Sequence, residues 1–177
     1  MIIRVTAKPK ASTGILTLNG QRYPCALGRS GIILSSEKQE GDGATPAGTW
    51  MLRRLLYRED RMSRPKTNLP TGVILKMDGW CDAPDDTNYN TQIKLPYDAS
   101  AETLWRDDNL YNLIVVLGHN DDPVIAGKGS AIFFHVAKYN DTGLAPTEGC
   151  IALPEATLKA LLESCSTDTK MEITIQA

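Results

Sequence analysis

The sequence has no apolar run approaching the ~20 residues that span a bilayer as a helix; its longest, Leu113 to Leu117 and Ala131 to Phe134, have the length of strands. It has no excess of either charge. Nineteen basic residues against 21 acidic ones leave a formal net charge of -2, which gives the chain no overall attraction for nucleic acid or an anionic membrane. Four cysteines (Cys25, Cys81, Cys150, Cys165) are too few and too irregularly spaced for a disulfide framework, and no C-x-x-C pair offers a zinc or dithiol site. With two histidines in all, there is no H-x-x-x-H pair either. The first residues, Met1 to Thr6, lack the order of a secretory signal and read as a strand. No repeat, low-complexity tract or clean linker divides the chain, so a single domain over residues 1–177 is expected.

What the sequence does have is turn chemistry about every ten residues, separating short β-rich runs, and this predicts a mainly β domain with one or two short helices. Asn19-Gly20 suits a tight type I′ hairpin between Gly14–Leu18 and Gln21–Ala26. Further strands are expected at Gly31–Leu34, Thr49–Leu56, Val73–Lys76, Leu113–Leu117, Ala131–Val136, Cys150–Leu153 and Lys170–Ile175. Ser100 is positioned to cap a helix over Ala101–Arg106, with Glu102 in its first turn, and Pro154 opens an amphipathic segment running to about Cys165. The charged stretch Arg58 to Asn90 reads either as a solvated loop or as an insertion that overhangs or contributes to a site.

Two residues carry the chemistry. His135 ends the run Ile132-Phe133-Phe134 and, fifteen residues on, Gly149-Cys150 opens another strand, so adjacent strands can bring an imidazole to a thiol that it activates. An imidazolium beside a cysteine favours thiolate, and Gly149 leaves room for a substrate carbonyl near backbone amides that form an oxyanion hole. Taken alone, a buried strand cysteine and a satisfied core histidine explain the same two residues. His119, in the turn-forming Gly118-His119-Asn120-Asp121, reads equally as a loop residue or as part of the rim of the same cleft. Cys25 and Cys81 are expected to carry no chemistry, and Cys165 to be a core residue.

The wider pattern is more specific. Gly41-Asp42-Gly43-Ala44-Thr45-Pro46-Ala47-Gly48, then Phe134-His135, then Thr147-Glu148-Gly149-Cys150-Ile151-Ala152-Leu153 together resemble the YkuD-type L,D-transpeptidase family of bacterial cell-wall enzymes, over residues about 41 to 162. The resemblance implies a β-sandwich or barrel catalytic domain that needs neither metal nor cofactor. It implies Cys150 as nucleophile, His135 as its base and Gly149 with Cys150 as oxyanion donors, acting on peptidoglycan stem peptides with a diaminopimelate amine as acceptor. The expected product is a cross-link, or a trimmed peptide if water replaces the amine. Thr45 and Thr147 would line the cleft, and Trp105-Arg106 looks like part of a compact branch, with Arg106 gripping a substrate carboxylate.

Two departures stand out. The family's usual Ser-His-Gly-Cys reads Thr147-Glu148-Gly149-Cys150, and Ala152 stands where an arginine or asparagine is common. An unpaired carboxylate beside the nucleophile opposes thiolate formation, so Glu148 needs a positive partner, a turn away from Cys150, or a role in reading a substrate amine. These changes resemble a short proteobacterial subgroup that joins L-Ala at stem position one to diaminopimelate at position three, which favours a 1-3 link over a 3-3 link. The competing readings are a zinc hydrolase built on His119, His135 and Cys150, and a peptidoglycan-binding module with an unreactive thiol. The resemblance places the protein in the periplasm or cell envelope, as a monomer without a membrane span, although no signal peptide is visible.

Overall fold

The computed structural model describes residues 1–176. In chain order the elements are β1 (Ile2–Ala7), β2 (Thr13–Leu18), β3 (Gln21–Ala26), β4 (Ile32–Ile33), β5 (Thr45–Pro46), β6 (Gly48–Tyr57), β7 (Thr71–Val73) and β8 (Asp78–Cys81). There follow β9 (Gln92–Lys94), β10 (Ala101–Thr103), β11 (Leu113–Leu117), β12 (Phe133–Val136), β13 (Tyr139–Asn140), β14 (Gly143–Leu144), β15 (Ile151–Leu153), α1 (Glu155–Leu162) and β16 (Lys170–Ile175). The large sheet runs β11-β12-β15-β3-β2-β1-β16-β6-β7, and β11 also pairs with β6, so the sheet closes on itself as a barrel.

Closure follows from alternation. In β1, Ile3, Val5 and Ala7 point inward while their neighbours face out, and burial of each large apolar side chain contributes about 1.5–3 kcal/mol. The β2–β3 hairpin turns through Asn19 (φ 50°) and Gly20 (φ 80°), the positive-φ pair that a type I′ turn demands. Pro154 stands just before α1, whose Leu158, Leu161 and Leu162 pack on the core, and Cys165 is buried there with them.

The segment expected as a helix over Ala101–Arg106 is instead β10. It pairs antiparallel with β8 (Ala101↔Cys81, Glu102↔Trp80, Thr103↔Gly79), and this ladder outweighs a local capping signal too short to sustain a helix. The strand expected at Val73–Lys76 sits earlier, at Thr71–Val73, because its parallel pairing with Leu55–Tyr57 fixes where it ends. The 58–90 insertion is partly ordered as β7 and β8, and β8 joins β9 and β10 in a small separate sheet.

The register of β12 and β15 decides where the chemistry lies. They are parallel neighbours, with Phe134↔Ile151, His135↔Ala152 and Val136↔Leu153. Phe134, Val136, Ile151 and Leu153 fill the barrel interior. Phe133 and Cys150 belong to a second apolar cluster with Trp80, Leu104 and Tyr111, so the alternate residues of both strands face away from the barrel core.

Candidate active site

Cys150 and His135 line one cleft of about 520 Å³ on the outer face of β12 and β15. A larger cleft of about 700 Å³ lies across Ile132 and is lined by neither residue. The Cys150 side chain is held at both its donor and acceptor sides. Its thiol donates to the carbonyl of Ala131 at 3.2 Å, and its Sγ accepts the Phe133 amide at 3.3 Å. Burial pushes the Cys150 thiol up to about 12, with the negative charge of Glu102 adding to the effect and the Phe133 amide opposing it.

His135 Nδ1 lies 2.8 Å from the carbonyl of Val136. A carbonyl only accepts, so Nδ1 carries the proton and Nε2 is left as the basic atom. Burial holds the ring's pKa down to about 4, so at neutral pH the site contains a neutral imidazole and a neutral thiol rather than an ion pair. Tyr111 packs edge-on against His135 with ring centroids 5.3 Å apart, which fixes the imidazole plane.

The turn before Cys150 is internally braced. Thr147 Oγ1 donates to the Cys150 carbonyl at 2.7 Å and accepts the Gly149 amide at 3.2 Å. Gly149 (φ 137°) has the carbonyl of Ala44 where a side chain would be, 2.8 Å from an ideal Cβ. Its missing side chain therefore admits the protein's own backbone, and its amide is already committed to Thr147.

The family model for the L,D-transpeptidase catalytic domain, YkuD, matches residues 6–173. The chain belongs to this family. Comparison with curated proteins and with solved structures gave no match.

The remaining residues expected at the site divide. Thr147, Glu148 and Arg106 line the cleft. Arg106 is engaged in a bidentate pair with Asp108 (2.9 and 2.7 Å) and lies over the Tyr111 ring, so its fork is not free for a substrate carboxylate without an exchange of partners. Glu148 has the cation that its position requires: Arg29 Nε donates to it at 2.8 Å, and both side chains face solvent.

His119, Trp105 and Thr45 lie away from the cleft. His119 is buried edge-on against Trp50 with Nε2 3.0 Å from the Lys128 carbonyl, so His119, His135 and Cys150 do not form the ligand set of a zinc hydrolase. Among the described residues no three His, Cys, Asp or Glu side chains gather as for a metal ion. Trp105 is covered by the Arg58 guanidinium, 3.5 Å from its ring centroid, which makes it a packing residue. Thr45 is fully buried and its hydroxyl accepts the Gly28 amide, bracing the loop that carries Ala44.

Several residues of the site were not singled out from the sequence. Asn90 accepts the Trp80 indole and the Ala131 amide while donating to the carbonyls of His119 and Asn120. It thereby holds Ala131 at φ 52°, the conformation that presents its carbonyl to the Cys150 thiol. Asp82, Glu40, Glu102, Tyr111 and Ser130 also line the cleft. Only Arg29 left a readable signal, because a carboxylate at position 148 called for a cation nearby.

Proposed function

We propose that the protein is a peptidoglycan L,D-transpeptidase of the cell envelope that works through an acyl-thioester on Cys150. The observation that carries this reading is the placement of His135 on β12 and of Cys150 immediately before its parallel neighbour β15, both facing one cleft, with His135 Nδ1 tied to a carbonyl. When a stem-peptide carbonyl enters, the thiol leaves the Ala131 carbonyl, its proton passes to His135 Nε2, and sulfur attacks carbon. With the Gly149 amide occupied by Thr147, the Cys150 amide is the backbone donor to the tetrahedral oxyanion. Collapse breaks the C–N bond, the departing amine takes the proton from His135, and the acyl group stays on sulfur. An amine acceptor then forms a new amide and restores the thiol, while water gives the trimmed peptide.

The altered Thr147-Glu148-Gly149-Cys150 motif supports a 1-3 link between L-Ala and diaminopimelate over the 3-3 link. Mass spectrometry of products from disaccharide-tetrapeptide and disaccharide-pentapeptide muropeptides tests reaction and linkage together, with Cys150→Ala as control. Dimers that depend on Cys150, and whose fragments show an acyl donor ending at L-Ala, are expected. A donor ending at diaminopimelate assigns the 3-3 link. No dimer, no trimmed monomer and no acyl-enzyme mass would leave a binding module as the better account.

A further inference from the structure

Besides Glu148, which Arg29 holds, the cleft is lined by three carboxylates that the acyl-transfer steps leave unused. Glu102 projects from β10, and its Oε1 accepts the Tyr111 hydroxyl. Asp82 follows β8 directly, and its Oδ1 is buried with no hydrogen-bond partner. Glu40 enters from the loop ahead of β5, its Oε2 accepting the Tyr89 hydroxyl. In the same cleft Ser130 is only 7% exposed, and its Oγ is also without a partner.

A buried polar atom left unpaired is unfavourable, and two in one cleft call for a ligand that supplies hydrogen bonds. The Asp82 oxygen accepts, and the surrounding carboxylates favour positive charge, so the ligand group is a cationic N–H donor. An organic ammonium supplies both the charge and the N–H donor. Glu148 is not part of this wall, because Arg29 holds its carboxylate.

We propose that Asp82, Glu40 and Glu102 draw the ammonium group of the acceptor, a primary amine carried by an amino acid, into the cleft, that Asp82 Oδ1 accepts one of its N–H bonds, and that Glu102 takes the proton that must leave before the nitrogen attacks the Cys150 thioester. The proposal rests on the transpeptidase reading. In the balanced step R–NH3+ gives one proton to Glu102, the neutral nitrogen forms the C–N bond, and the C–S bond breaks. The second nitrogen proton returns to sulfur through His135 Nε2, and Glu102 releases its proton to water. The groups facing Glu102 are Tyr111, Arg106, Asp82 and Glu40. Burial, with the negative Asp82 and Glu40, raises its proton affinity, while the Tyr111 hydroxyl and Arg106 oppose this.

Calorimetric titration with free diaminopimelate tests binding apart from catalysis. Glu102→Gln and Asp82→Asn are each expected to weaken affinity at least tenfold relative to the unaltered protein, and Glu148→Gln to change it less than twofold. Acyl-enzyme partitioning tests the proton transfer. With Glu102→Gln, transfer to diaminopimelate falls at least tenfold relative to transfer to hydroxylamine, a nitrogen nucleophile that is neutral at pH 7, and raising the pH recovers the loss. Unchanged affinity and unchanged partitioning in both variants would overturn the amine site and leave the cysteine chemistry standing. Failure of the unaltered protein to form any acyl-enzyme would overturn the transpeptidase reading instead, and the titration would still decide the amine site.

Discussion

At the scale of single residues, the neutral state of Cys150 and His135 has direct consequences. A thiol raised to about 12 beside an imidazole lowered to about 4 does not ionise spontaneously near neutrality. Alkylation of Cys150 by iodoacetamide, followed by mass spectrometry, should therefore accelerate steadily from pH 5 to pH 9 with no plateau. A plateau below pH 7 would indicate a preformed thiolate–imidazolium pair. The same histidine affects stability. Between about 4 and its ordinary 6.5 the unfolded chain binds a proton that the folded chain excludes. Its contribution is thus complete above pH 6.5 and is lost as the pH falls to about 4, to the extent of about 3 kcal/mol. Denaturant midpoints at pH 7 and pH 4.5 should fall less in His135→Gln than in the unaltered protein. Gly149→Ala combines a positive φ with a Cβ 2.8 Å from the Ala44 carbonyl, and should cost about 2 kcal/mol or more in denaturant unfolding together with most of the activity.

At the scale of elements, Asn90 joins the insertion to the segment before β12, whose Ala131 carbonyl accepts the Cys150 thiol. Asn90→Ala leaves the Trp80 indole and the Ala131 amide unpaired inside the protein, at an expected cost of about 3 kcal/mol by urea unfolding. It should also change the rate of Cys150 alkylation, because the Ala131 carbonyl loses its anchor. The elements differ in how far their sequence announced them. β11, β16 and the Asn19-Gly20 hairpin were legible because their apolar period and turn residues act locally. That His135 and Cys150 would face one cleft was legible because their spacing and flanking glycine belong to a known pattern. β10 was misread because three residues carry no period of their own and become a strand only by pairing with β8. Of the two readings left open for His119, the structure shows the residue outside the cleft, and Trp105 does not line it either: a polar or aromatic residue in a loop shows which chemistry it can do, not which side of the loop it faces. The acidic wall could not be read from the sequence, since Glu40, Asp82 and Glu102 come from three separate segments.

At the scale of the whole molecule, stability depends on closing the ring. β16 pairs with β1 through six registered residues and with β6 through four. Deleting residues 168–177 should open the barrel, abolish cooperative unfolding and remove the near-ultraviolet dichroism of the core, whereas changes in the exposed β13–β14 turn should shift the denaturant midpoint little. The outward placement of Cys150 and His135 also bears on how such a protein can change over generations. Interior and cleft draw on alternate residues of the same two strands, so substitutions inside the barrel can accumulate without touching the chemistry. A single inserted or deleted residue within β12 or β15 is different in kind, because it would turn a cleft-facing side chain into the core and an apolar one into the cleft. Lineages of this fold are therefore expected to vary freely in core composition and in loop length, and to keep the residue count between Phe133 and His135, and between Cys150 and Leu153, unchanged.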